Sequence, residues 1–478
     1  MINKLLRHGM HYASSSLLIS IAGLISFPIL TRALPIEEYG ILSLLTTILG
    51  LFVALNKFGL QQSVLRFYSN ELEEFQSSLF FIFIANSLCL SFFYLISIVL
   101  IQYLYPDAIP VKYFIPLYMS SILQSYKSIV INCFASDQKT IFVGLFNVFQ
   151  KYTAVLMMLI CIALVEGDAM SILYSILIAD FITVFVITIP WFRTFTWHRY
   201  NPPFIKKIML YGAPLMVVEF MQIAHAFIDR FLINYFMGAE HVALYSAPYS
   251  IAEIISAILL GSVSTALVPI YMGIWNSGEK ERTAEFLSTV SDYFLLFFPV
   301  FIMGSYIVSG PVMNILATDK YADSAYILPI ALTGLLVFSS TFIYSAGLKF
   351  KKSQNKVMQY VFESLILNVF LNIVFIEPFG IVASAWSTVV SYLWMSIRYY
   401  YASKEILKIH INIGYLFRGL LIAMIVYLCI YLLGFDENAI IDLLVNLFSS
   451  VIIGLLLFYL LDGAIQKKVN ELFSSSFR

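Results

Sequence analysis

The sequence predicts an all-α integral membrane protein of about 14 transmembrane helices: two six-helix lobes related by a parallel pseudo-two-fold repeat, plus two C-terminal helices. Three observations carry this. The 478-residue chain is 60% hydrophobic and only 12% charged, whereas a soluble domain carries about 25% charged and 45–50% apolar residues. The cations fall on alternate connections between apolar runs. The first half of the chain also matches the second, at an offset of 203 residues that becomes 213 further on.

A spanning helix needs roughly 20 apolar residues, and the runs of that length follow one another in order. The first, 13–33, comes after Lys4 and Arg7. No small-residue cleavage site follows it, so it reads as a membrane helix and not a removed signal peptide. The second, 39–61, ends where Lys57 and Arg66 flank FGLQQSVL. Runs three to six span 78–103, 113–135, 140–165 and 170–192. Among them the fourth carries Gln124 and Lys127, the fifth Asn147, Gln150 and Lys151, and the sixth Asp180. At 1.5 Å per residue, Lys151 sits about 16 Å into its helix. The seventh run, 207–236, holds the densest charge, and the eighth, 242–269, carries Glu253. Runs 289–314, 325–347, 357–376 (with Glu363) and 380–402 complete a second set of six. Two more, 416–434 and 441–462, close the chain. Pro28, Pro214 and Pro299 lie inside or near the starts of the first, seventh and ninth runs and predict kinks there.

Charge orients these helices. With an even number of spans, 22 of the 28 Lys and Arg fall on connections of one side and three (Arg32, Lys112 and Lys320) on the other. Lys127, Lys151 and Arg230 remain inside apolar runs. The positive-inside rule places the richer side, and with it both termini, in the cytoplasm.

At an offset of 203 residues, RALPIEEYGILSLL (32–45) falls on YFMGAEHVALYSAP (235–248), and GLQQSVLRFY (59–68) on SVSTALVPIY (262–271). Ser43 meets Ser246 and Tyr68 meets Tyr271. Further on, at an offset of 213, YFIPLYMSS (113–121) falls on YILPIALTG (326–334). Residues 1–200 are therefore expected to form one six-helix lobe and 201–405 the other, in the same orientation because six is even. Residues 406–478 add two helices and a tail. Parallel repeats of this kind form transporters with the substrate site between the halves.

The seventh run places Glu219, Gln222, His225, Asp229 and Arg230 within an arc of about 140°. A charge at mid-membrane costs at least about 2.5–3.5 kcal/mol, so this face is expected to look into protein or a wet cavity. An ion pair that merely fixes packing, Asp229–Arg230 or interhelical, is the competing account. Lys127, Lys151, Asp180, Glu253 and Glu363 spread further ionisable groups over both halves. Soluble-enzyme motifs are missing: there is no Walker loop, HExxH, GxSxG or CxxC. Cys89, Cys133, Cys161 and Cys429 lie in apolar runs without metal-ligand spacing. No catalytic residue, metal site or nucleic-acid partner is expected.

FPILTRALPIEEYGILSLL, FGLQQSVLRFYSNE, YGAPLMV and IDRFLINYFMGAEHVALYSAPYSI resemble the polysaccharide transporter (O-antigen flippase) family of the multidrug, oligosaccharidyl-lipid and polysaccharide exporter superfamily. The resemblance covers nearly the whole chain. It implies a flippase that moves undecaprenyl-pyrophosphate-linked oligosaccharide from the cytoplasmic to the outer leaflet by alternating access, for O-antigen or capsule synthesis. The setting it implies is the bacterial inner membrane, with a polysaccharide polymerase and chain-length proteins as partners. The family has a cation-lined cavity, for which Arg32, Lys57, Arg66, Lys127, Lys151 and Arg230 are the candidates. Acids outnumber bases at mid-membrane, which makes Asp180, Glu219, Asp229, Glu253 and Glu363 candidates for Na⁺ or H⁺ coupling. The 31 Tyr offer rings for sugars. A Na⁺- or H⁺-coupled multidrug exporter of the same superfamily is the alternative. A membrane-embedded polymerase or ligase would need a longer exterior loop bearing catalytic Arg or His.

Overall fold

The computed structural model describes residues 2–67, 72–104, 111–165, 167–192, 201–351 and 353–433. The described elements are all helical. They are α1 (Ile2–Ala33), α2 (Ile36–Lys57), α3 (Leu60–Phe67), α4 (Leu72–Leu104), α5 (Phe114–Ser136), α6 (Thr140–Leu164), α7 (Ala169–Phe192), α8 (Pro202–Met237), α9 (Ala239–Ser256), α10 (Ser262–Asn276), α11 (Lys280–Leu316), α12 (Ile327–Tyr344), α13 (Ala346–Phe350), α14 (Gln354–Phe379), α15 (Ile381–Lys404) and α16 (Ile413–Leu433). Eleven of the described helical stretches are long and apolar enough to cross a membrane. Two further expected spans, α5 and α15, are full-length helices with more polar sequences. The expected span at 441–462 lies outside the described residues.

Local chemistry sets the breaks. Pro35 precedes α2, and Glu37 and Glu38 occupy its first turn, where acids complement the helix dipole. At its other end Phe58 and Gly59 both adopt positive φ, turning the chain into the short helix α3. The last carbonyls of α2, which a helix cannot satisfy internally, are met from α4: Asn86 donates to Leu55 O and Asn56 O at 3.1 Å. At the start of α8 the Asn201 side chain accepts from the Phe204 N–H, and Pro202 sits where no N–H is needed. The eighth expected span is interrupted by a π-turn at Ala257–Gly261 between α9 and α10, a feature frequent at functional sites.

The packing has two-fold character. In the first lobe α6 lies against α1 and α7; in the second, α14 lies against α8 and α15. The lobes meet where α2 packs on α9 and α8, with α1 against α10. α16 packs along α11. Outward rows such as Leu88, Phe92 and Leu95 on α4, Phe181 and Phe185 on α7, and Phe362, Ile366 and Phe370 on α14 are exposed. Such a belt is stable in lipid and would be sticky in water.

Around Pro35 the lobes are in direct contact. One buried apolar cluster contains Leu34, Leu42 and Leu45 of the first lobe together with Ala243, Ala247 and Ile251 of the second. Thr31 Oγ1 donates to Leu316 O at 3.2 Å and Arg32 Nη2 to Ile315 O at 2.8 Å. Tyr39 meets Tyr321 edge-on. Gly40 is required here, because a Cβ would collide with the Ala239 carbonyl. Around Phe58, the ends of α2 and α3 lean on α8. There a Cβ on Gly212 would come within 2.7 Å of Phe58 O.

Candidate functional site

The site sits at the lobe junction and is built around α8, which faces the first lobe with one side and its own lobe with the other. The face expected to look into protein or a wet cavity is divided between two protein environments. The arc of about 140° is wide enough to span both environments. Glu219 reaches the first lobe, pairing with Lys57 and accepting from Gln61. His225 turns into the second lobe, where its Nε2 lies 3.0 Å from Ser391 Oγ and 3.2 Å from Ser364 Oγ.

Asp229 and Arg230 diverge most. They are adjacent in sequence, but helical geometry sets their side chains about 100° apart. Asp229 is fully buried in a cage of neutral donors: Tyr245 at 2.8 Å from α9, Asn372 at 2.9 Å from α14, and Thr388 from α15. Asn368 donates to Thr388 at 3.2 Å, and Ser384 to Asn372 Oδ1 at 2.6 Å. Arg230 turns instead to the junction. Its Nε donates to Ser246 Oγ at 3.1 Å, and Ser246 shares a 2.8 Å hydrogen bond with Ser43 across the lobes. Its guanidinium lies 4.3 Å from the Phe227 ring centre and 5.4 Å from that of Tyr249. Among the described residues no ion pair joins Arg230 to Asp229 or to another carboxylate; of the competing account, an Asp229–Arg230 or interhelical packing pair, only the interhelical form is present, as Lys57–Glu219. The two Nη groups donate to no described residue.

Glu253, two turns beyond Ser246 on α9, interacts electrostatically with both Arg230 of the second lobe and Lys151 of the first. It lines a cavity of about 360 Å³ with Ser256, Leu335, Phe338 and Ser339. Lys151 is half-buried, with Glu253 the acid it senses. Cations from both lobes thus lie within electrostatic reach of one acid.

The remaining candidates separate into three places. Inside the first lobe, Gln124 and Gln150 donate to Asp180 at 2.8 and 2.7 Å, and Lys127 donates to Gln150 while sensing the charge of Lys57. At the two ends of the junction lie Arg32, against Ile315 O, and Arg66, stacked 4.4 Å from the Tyr211 ring centre. Glu363 departs from expectation. It faces outward between α14 and α15, 3.3 Å from Arg398, and is not at the junction. The position is the outer edge of α14, whose buried face is taken by Ser364, Asn368 and Asn372.

The Asp229 cage was missed by sequence reasoning because its members are neutral. Their spacing was a readable signal. Asn368 and Asn372 are four apart, as are Ser384 and Thr388, so each pair forms a polar stripe on one face of an apolar helix.

These features define a class: a two-lobed, multi-pass helical membrane protein with buried charge at a pseudo-symmetric junction. Solved transporters share this fold. The lipid II flippase MurJ in its inward closed conformation superposes with a TM-score of 0.71 at 16% identity, covering 94% of this chain and 98% of that one. An inward-facing multidrug resistance MATE transporter of the MOP superfamily gives 0.60 at 13%, covering 82% and 94%.

The chain belongs to the polysaccharide biosynthesis protein family, whose sequence model matches residues 5–275. A Haloferax volcanii protein named as the low-salt glycan biosynthesis flippase Agl15 is 21% identical over 296 residues, 61% of each chain. A Shigella flexneri protein named for O-antigen transport is 28% identical over 188 residues, 38% of this chain and 43% of the relative. The chain thus matches less than two thirds of the length of these relatives.

Proposed function

We propose that this protein is a flippase that moves an oligosaccharide linked to a polyprenyl pyrophosphate, with undecaprenol as the lipid, across the cytoplasmic membrane by alternating access. Arg230 carries the reading. It is buried at the lobe junction, only its Nε is engaged by a described residue, and Lys151 approaches the same acid from the other lobe. A guanidinium with two unengaged N–H faces suits bidentate contact with a phosphate. The lipid tail stays in the bilayer, so the protein needs to carry only the polar head. Moving two negative charges outward, with the inside negative by about 100 mV, releases roughly 4–5 kcal/mol. The relatives' names agree in substrate class.

The positive-inside count puts Phe58 in the cytoplasm and Pro35 outside, so the contacts around Pro35 are the outer gate, closed in this structure. Asp229 is the proposed site of a coupling Na⁺ or H⁺, since it is a single buried carboxylate ringed by neutral side chains. Proteoliposomes test the reading. The purified protein should translocate a polyprenyl-pyrophosphate-linked oligosaccharide, scored by accessibility of the sugar to an external glycan-modifying enzyme. Failure of that cargo, together with export of cationic drugs, would favour the multidrug alternative.

A further inference from the structure

The outward groove between α14 and α15 raises a question separate from the junction. Its lining includes Glu363, Ile366, Leu367, Phe370, Trp394 and Arg398, and its volume is about 500 Å³. Around it Phe362, Ile366, Phe370 and Ile397 are exposed, so the groove opens to lipid. An ion pair placed there is costly unless something polar reaches it. Arg398 is six residues from the end of α15, so its Cα lies about 9 Å from that end, more than half-way into a half-bilayer of about 15 Å. A long Arg side chain spans part of that distance toward the headgroups. Ile366 and Phe370 continue the groove along α14 toward the bilayer centre, where an acyl chain would lie.

The pair is set up for a ligand. Tyr360 and Trp394 hold the guanidinium, with ring centres 4.6 and 5.7 Å away. Its Nη1 is 3.3 Å from Glu363 Oε2, close enough for charge pairing. Yet Oε2 is a buried atom with no hydrogen-bond partner among the described residues, while Oε1 accepts from Gln359 at 2.8 Å. A cation and an anion presented side by side match a headgroup that carries both signs.

We infer that this groove binds a zwitterionic aminophospholipid, with its phosphate on Arg398, its primary ammonium on Glu363 and one acyl chain along Ile366 and Phe370. An anionic lipid supplies the phosphate but leaves Glu363 facing negative charge. A quaternary choline headgroup supplies the positive charge but no N–H for the Glu363 carboxylate.

Native mass spectrometry of the full-length protein, released from nanodiscs of equal phosphatidylethanolamine, phosphatidylglycerol and phosphatidylcholine, tests this. The wild type should retain one phosphatidylethanolamine at least about tenfold over the other two, as loss of a charge-assisted hydrogen bond implies. Glu363→Gln should bring phosphatidylethanolamine down to the level of phosphatidylglycerol. Arg398→Gln should lose both. Ile366→Trp fills the groove without touching either charge and should displace the lipid, so the inference stays testable if Arg398→Gln fails to accumulate. Equal retention of the three lipids, an unchanged preference in Glu363→Gln, or a second copy of the chain retained in place of lipid would each overturn it.

Discussion

Ser43 and Ser246 lie 203 positions apart in the chain and 2.8 Å apart in space. That separation is the offset at which the two halves match. Gly40 and Ala243 share the offset, and a Cβ on Gly40 would come within 3.3 Å of the Ala243 amide. Residues that touch their own counterparts lie on the pseudo-two-fold axis. α2 and α9 therefore cross on that axis, and Ser246 passes the contact on to Arg230.

If the lobes part here during transport, tying them should stop it. In a background lacking the four native cysteines, Ser43→Cys with Ser246→Cys should cross-link under mild oxidant, since their Oγ atoms already touch. Transport in proteoliposomes should fall to background and return on reduction. Full transport with the cross-link intact would show that this contact never opens.

Gly40→Val should do the opposite. Its side chain has no room against the Ala239 carbonyl, so the closed junction is strained and the opposite state gains population. Labelling of Ser246→Cys by an impermeant reagent in intact cells should rise several-fold in the Gly40→Val background, an effect on the order of 1 kcal/mol.

Arg230→Ala should lower surface polysaccharide about ten- to a hundredfold, equivalent to about 1.4–2.8 kcal/mol, with normal protein level in the membrane. Arg230→Lys should rescue it partly, because a point charge replaces a planar fork. Loss of the protein from the membrane would instead assign Arg230 to packing.

Asp229→Asn should uncouple transport from its ion. The substitution keeps size but replaces an acceptor with a group that donates toward Tyr245, Asn372 and Thr388. A stability loss of about 1–3 kcal/mol is expected from the mismatched hydrogen bonds. Transport driven by an imposed Na⁺ or proton gradient should no longer exceed the rate without one. Unchanged ion dependence would remove Asp229 from coupling.

Orientation can be checked directly. Glu37 and Lys408 are both exposed and, by the charge count, on opposite sides of the membrane. Glu37→Cys should react with an impermeant maleimide in intact cells and Lys408→Cys only after lysis. The reverse pattern would invert the gate assignment.

Most of the helical layout was legible because hydropathy is written locally: a run of apolar residues declares a span wherever its neighbours lie. The repeat was legible for the same reason, and it aligned Ser43 with Ser246 without showing that they touch. What the sequence could not convey was direction. Asp229 and Arg230 are neighbours in the chain, and only the packing of α14 and α15 on one side and α2 on the other separates their roles. Glu363 reads as a mid-membrane acid like any other, until the burial of Ser364, Asn368 and Asn372 on the inner face of α14 turns it outward. The Asp229 cage was hidden in Asn, Ser, Thr and Tyr, which carry no charge to mark them.

The crossing of α2 and α9 also bears on ancestry. A side chain that meets its own copy across a two-fold axis makes the contact found at an isologous dimer interface, where one surface patch serves both partners. Six helices return a chain to the side it started from, so two separate copies of a half-length protein would insert the same way up and could already have met through this serine. Fusing the two copies would leave that pairing intact and free each half to diverge. Arg230 and Asp229 have no charged equivalents in the first half, where the 203-residue offset places Phe27 and Ser26; the asymmetry of the charged site is then younger than the joint on which it sits.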